Sequence, residues 1–166
     1  MTTLAYEAHS SIRIPFALWG RAIFRLRRRS AGKRESGAFL LGPKNGNSTR
    51  VTAFICYDDL DPDAYQSGAI AFHATGYAAL WRQCGQRQLR VLADVHTHPG
   101  DSAQQSWTDQ KNPMLPTVGH TALIVPHFAR TPWWSLKNVG IYEYLGDFQW
   151  RAHSSGGMRR VRLSLW

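Results

Sequence analysis

The chain has 166 residues, 43% hydrophobic and 19% charged, with 20 Lys plus Arg against 11 Asp plus Glu and a net charge of +9. That length suits one domain that buries most of its apolar surface, and the composition excludes disorder along most of the chain and leaves little room for a second large module. No apolar run approaches the roughly 18 residues needed to span a bilayer, and "MTTLAYEAHSS" lacks the basic start and apolar block of a secretory leader, so a cytoplasmic location is expected.

Residues 13–34, "RIPFALWGRAIFRLRRRSAGKR", interleave Ile14, Leu18, Ala22, Phe24 and Leu26 with cationic positions and put Pro15 where a first helical turn accepts it, which predicts an amphipathic helix. "SGAFLLGP" predicts a buried strand, and the turn residues "NGNS" hand the chain to a second strand, "TRVTAFICY", as an antiparallel hairpin. "DDLDPDAYQSG" is polar and proline-containing and predicts a loop. "ATGYAALWRQCGQR" has helical apolar spacing and is expected to end near Gly85. "QLRVLADVHTH" predicts the next strand, residues 99–105 a loop, and Ser106 to Gln110 a short helix capped by Ser106. "TALIVPH" and "VGIYEYL" predict two further strands separated by "FARTPWWSLKN", and "FQWRAH" a last one after a turn at Gly146 and Asp147. The tail 154–166, "SSGGMRRVRLSLW", opens with flexible residues and ends in a basic and apolar alternation, so it reads either as an added edge strand or as a mobile basic arm. The order helix, hairpin, helix, strands implies an α/β sandwich around one mixed sheet, with residues 1–166 as a single domain.

The chemistry concentrates in "HTHPGDSAQQSWTD", residues 96–109. Alternate side chains of a strand share a face, so His96 and His98 project together while Thr97 points away. Pro99 ends the strand, and the polar loop brings the chain back so that the first turn of a helix presents Asp109 as a third ligand. Two imidazoles, a carboxylate and one open position form the catalytic rather than the structural pattern for zinc, one ion per chain. A water of lowered pKa at the open position needs a base, and Glu35, immediately before a predicted strand, is the candidate. Ser106, one helical turn before Asp109, shares its face and could donate to a developing oxyanion.

His, one residue, His, seven residues, Ser, two residues, Asp, with a Glu upstream in "ESGAFLLG", resembles the motif of the JAMM or MPN-plus (JAB domain) zinc metalloproteases. The resemblance implies a JAB/MPN-like α/β (α+β) fold, a mixed sheet flanked by helices in a cytidine-deaminase-like layered sandwich. It also implies that His96, His98 and Asp109 bind zinc, Glu35 shuttles the proton and Ser106 stabilises the tetrahedral intermediate. "ADVHTHPG" followed by "GIYEYLG" is similar to bacterial JAB-domain proteins encoded beside ubiquitin-like modifiers and their activating and conjugating enzymes. This implies a deubiquitinase-like isopeptidase that removes or matures a ubiquitin-like protein, often in anti-phage defence. An alternative on the same fold is a peptidase that processes a small sulfur-carrier protein or its amino acid adduct. An alternative of another class is a non-catalytic basic binding module, although neither a membrane nor nucleic acid is the expected partner.

Blander readings exist for each residue taken alone. Ser106 and Asp109 suit a helix cap with a reciprocal carboxylate, and Glu35 suits a solvated partner for Lys33 or Arg34. His9, His73, His120, His127 and His153 lack ligand spacing and are expected at the surface or hydrogen-bonded in the core, with His120 of interest for its place before a strand. Trp107 is expected to pack in the core, the run "RLRRRSAGKR" to line a solvated helix face, and Cys56 and Cys84 to be buried thiols. Other metal patterns fail on spacing. A metallo-β-lactamase needs an Asp and a further His where Pro99 and Gly100 stand, and a zinc deaminase needs a PCxxC that the chain lacks.

Overall fold

In the computed structural model, which describes residues 11–154 and 160–165, the first helix begins later than its sequence pattern implies. Ile12–Pro15 form strand β1, and helix α1 runs over Phe16–Ser30 with Pro15 as its extended cap at ψ 135° rather than inside its first turn. The reason is a partner distant in sequence. Strand β8, Val161–Ser164, pairs in parallel with β1, so Ile12 and Ile14 face inward as strand residues. The expectation of tail residues as an edge strand or a basic arm thus meets a paired strand at 161–164, while residues 155–159 and His9 lie outside the described residues.

Helix α1 buries Trp19, Ala22, Ile23, Leu26 and Ser30, an i, i+3, i+4, i+7 stripe, and leaves Phe24 on its outer face at 57% exposure. Arg27, Arg28 and Arg29 occupy its last turn, where positive charge complements the helix dipole. The hairpin follows as strands β2, Gly37–Pro43, and β3, Ala53–Cys56, with Ala38 opposite Cys56. The second strand is shorter than "TRVTAFICY", because Tyr57 opens the short helix α2, Tyr57–Leu60, where a loop was expected. Asp58 and Asp59 lie in its first turn, favourable to the helix dipole.

Helix α3, Ala74–Gln86, and strand β4, Leu89–Thr97, match their sequence patterns, the helix ending one residue past Gly85. Helix α4, Trp107–Lys111, then precedes strands β5, Thr121–Val125, β6, Gly140–Gly146, and β7, Gln149–His153. One six-stranded sheet, ordered β3-β2-β4-β5-β6-β7, is mixed. β4 and β5 are parallel and the other pairs antiparallel.

The sheet divides two apolar cores. Ala93 and Val95 pack with Trp19, Ile23 and Leu26 on the α1 face, whereas Phe39, Leu41 and Tyr57 pack with Leu80 and Cys84 on the α3 face. Alternation along β4 therefore turns Asp94 and His96 to the α3 face. Among the described residues no helix is long and apolar enough to cross a membrane.

Candidate metal centre and catalytic cleft

His96 lies near the end of β4, with Gly37 of β2 as its register partner, and His98 follows just beyond the strand. The backbone holds this edge firmly: His98 N donates to Val125 O at 2.9 Å and Thr97 N to Ser36 O at 2.9 Å. The Thr97 side chain points to the other face, as alternation requires. There its hydroxyl accepts from Ser36 N at 3.0 Å and lies 3.1 Å from Ser30 Oγ, all three residues being fully buried. Ser36 Oγ also donates to Leu26 O of α1 at 2.9 Å. This hydroxyl cluster ties the residue after Glu35 to the residue between the two histidines.

Asp109 arrives on α4, which Ser106 caps. Ser106 Oγ accepts from Asp109 N at 3.1 Å, and Asp109 Oδ2 accepts from Ser106 N at 2.7 Å, a reciprocal box. The loop before α4 rests directly on the sheet. Tyr142 OH donates to Ala103 O at 2.8 Å, and a Cβ on Gly140 would overlap that same carbonyl.

Three donor groups then converge, Asp109 offering one carboxylate oxygen to each histidine. His96 Nε2 and His98 Nε2 are 3.1 Å apart, His98 Nε2 lies 3.1 Å from Asp109 Oδ2, and His96 Nε2 lies 3.3 Å from Asp109 Oδ1. A tetrahedral ion with bonds of about 2.0–2.1 Å has ligand-to-ligand edges of about 3.3 Å, so two imidazoles and one carboxylate here fit a zinc-type cation. Both histidines are buried, and Asp109 is 18% exposed at its side chain. Burial alone would raise the Asp109 carboxyl, but the hydrogen bonds and charges of His96 and His98 outweigh it and hold the group far below the usual carboxylate range.

Glu35 and Ser106 line the same cleft of about 920 Å³ as His96 and Asp109. Burial raises the Glu35 carboxyl above its ordinary value, against the opposing pull of His96 and His98. A carboxyl raised in this way, in the same cleft as the donor set, is suited to exchanging protons.

Residues 20–137 match the family of prokaryotic homologs of the JAB domain. The chain belongs to the prokaryotic JAB family. This JAB-domain protein is 34% identical over 76 residues to a "probable metalloprotease" of Sinorhizobium fredii, a match that covers 46% of each chain, about half the length of that relative. Its fold is similar to that of a solved protein from Desulfitobacterium hafniense, with a TM-score of 0.63 at 16% identity over 92% of both chains. A JAB1/MPN domain protein from Archaeoglobus fulgidus gives a TM-score of 0.51 at 18% identity, over 92% of this chain and 99% of that one. The relative from Sinorhizobium fredii is described as a probable metalloprotease, and the donor set of His96, His98 and Asp109 is one that could hold a metal ion.

The JAB-domain cleft also holds residues the sequence pattern left unassigned. Asp94, two positions before His96 and on the same face, accepts from buried Tyr57 at 3.2 Å and lies 2.6 Å from His120 Nε2. The period of a strand could have found Asp94, and His120 was singled out for its place alone. Lys111 sits over the Phe148 ring at 5.3 Å, and Trp150 Nε1 donates to Gln110 O at 3.1 Å, so the far wall of the cleft is aromatic and cationic. Trp107 departs from its expected place in the core: it is 73% exposed on α4, because the cap that aims Asp109 inward turns the next residue outward.

Of the other histidines, His73 bonds Asp61 at 2.7 Å, and His153 bonds buried Glu143 at 2.9 Å. His127 is exposed, and Cys56 and Cys84 are buried free thiols.

Proposed function

We propose that the protein is a zinc-dependent isopeptidase or peptidase that cleaves after the C-terminal Gly of a ubiquitin-like modifier, either to deconjugate it or to mature its precursor. What carries this reading is the triangle of His96, His98 and Asp109 donors, 3.1–3.3 Å on its edges, in a cleft that Glu35 and Ser106 also line. An ion held by those donors supplies a Lewis acid, polarising a carbonyl and making a water easier to deprotonate. Glu35 takes a proton from the attacking water, whose oxygen bonds to the carbonyl carbon, and then passes that proton to the amine nitrogen as the C–N bond breaks. Ser106 Oγ accepts from Asp109 N, which leaves its own proton for the oxyanion.

The apolar stretch of the cleft, with Ile70, Phe72, Phe148 and Trp150, suits an extended C-terminal tail of a modifier. A bacterial conjugation or anti-phage defence setting, with activating and conjugating enzymes as partners, belongs to the same proposal and rests on the sequence resemblance. The test is cleavage of a modifier–protein conjugate beside a sulfur-carrier–amino acid adduct, followed by mass spectrometry. Release of modifier ending in Gly supports the isopeptidase, faster turnover of the adduct supports the carrier-processing alternative, and cleavage of neither contradicts both.

A further inference from the structure

β3 is the outermost strand on its side of the sheet, and the structure shows which of its backbone groups are free. On that edge β1 serves the residues just before β3: Val51 N donates to Arg13 O at 2.8 Å, and Arg13 N to Thr49 O at 3.0 Å. Thr52 N instead donates inward to Leu41 O at 2.8 Å. On β2, Ser36 and Lys44 bond toward β4 whereas Gly37 and Leu41 face the other side, so Phe39 and Leu41 meet Ile55 and Ala53 as hydrogen-bonded pairs, and the N–H and C=O of Phe54 and the N–H of Cys56 turn outward. After Pro15 the chain leaves the edge for α1, and among the described residues no strand pairs with β3 on its outer side.

A groove of about 560 Å³ remains between this edge and α1. Leu18, Phe24 and Phe54 supply its apolar surface, and Arg21, Arg25 and Arg87 its charge. These three arginines are exposed and form no ion pair among the described residues, whereas Arg29 is held by Asp58 and Asp59. Asp59 is the one carboxylate of the lining, and Arg29 already neutralises it.

We infer that the β3 edge is a docking site for an extended acidic segment of a partner protein, which adds as a further strand with its carboxylates on Arg21, Arg25 and Arg87. Backbone bonds to Phe54 and Cys56 supply affinity, and the arginines supply selection. The same arginines disfavour the other natural occupant of an open edge, a second copy of this chain with its net charge of +9. The site lies on the α1 side, across the sheet from His96, so it can hold a partner while the cleft works.

The test is fluorescence anisotropy of a labelled Glu-Val-Glu-Val-Glu-Val-Glu peptide and its Lys-for-Glu counterpart against the whole protein, with circular dichroism to confirm folding of each variant. Saturable binding of the acidic peptide that weakens with salt is expected, with little binding of the basic one. Arg21→Glu with Arg25→Glu, both on the exposed face of α1, should weaken it at least 10-fold. Phe54→Pro removes an outward N–H without touching the β2 ladder and should weaken it several-fold more than Phe54→Ala, which keeps that N–H. Arg87→Glu, beyond the end of α3, gives an independent charge reversal. Binding unchanged by the arginine reversals, equal binding by Phe54→Pro and Phe54→Ala, or wild type that dimerises through this edge would each overturn the inference.

Discussion

Glu35 sits where two influences oppose each other: burial raises its carboxyl above the ordinary 4.5, and His96 and His98 pull it back. A base works only when deprotonated, so the acid limb of kcat/KM should lie above pH 4.5, with activity rising as pH increases through the raised value. A pH–rate profile on a peptide substrate at saturating metal checks this, and a limb at or below the ordinary value would contradict it. Ser106 Oγ is the cap acceptor for Asp109 N, and the proposed reaction also makes it a donor to the oxyanion. Ser106→Ala should therefore cost about 1 kcal/mol in stability and about 10²-fold in kcat. Urea denaturation and steady-state kinetics read the two effects separately, and a loss of stability with unchanged kcat would leave Ser106 a cap alone.

The strand that carries His96 and the segment that carries Glu35 are held in register by side chains outside the proposed chemistry. Thr97 hydroxyl binds Ser36 N and Ser30 Oγ on the far face of the sheet, so it fixes Glu35 against the histidine pair. Thr97→Val keeps the shape and breaks both contacts, and should destabilise by about 1–3 kcal/mol through the buried partners left unmet. It should also lower kcat while zinc content stays unchanged. Elemental analysis beside kinetics checks this, since loss of zinc instead would mean that the cluster positions the ligands rather than the base. The sequence made the elements legible where the determinants are local. Period 2 in "VLADVHTH" places His96 and His98 on a common side, and Ser106 with Asp109 spells the cap that α4 shows. It failed where a distant partner decides. Ile14 reads as part of a helix until β8 pairs with its strand, and Trp107 reads as core because its apolar ring says nothing of the turn that faces it outward. Pairing between Asp94 and His120, 26 positions apart, likewise depends on β4 lying beside β5.

At the scale of the whole molecule, the last described strand closes the fold onto a buried carboxylate. Glu143, 3% exposed, meets His153 at 2.9 Å, Arg160 at 3.4 Å and the more exposed Arg151 at 3.5 Å. Arg160 also donates from Nε to Thr121 Oγ1 at 2.9 Å and to Gly119 O. Burial alone would raise the Glu143 carboxyl, but these cations outweigh it and lower its pKa below the ordinary 4.5. The contribution to stability is thus full above pH 4.5 and fades as the pH falls through the lowered folded value. Glu143→Ala should destabilise by about 3 kcal/mol at neutral pH, because buried Arg160 loses its counter-charge, and the gap to wild type should close in acid. Thermal melts across that range check the sign. The proposed chemistry rests on one proton-transfer residue, Glu35, beside the donor set of His96, His98 and Asp109. Its most direct test is zinc content together with cleavage of a C-terminally extended ubiquitin-like protein, for wild type and Glu35→Gln. Near one zinc per chain in both proteins, with cleavage by wild type alone, is the expected result. Equal cleavage by the two proteins, or no zinc in a folded wild type, would contradict it.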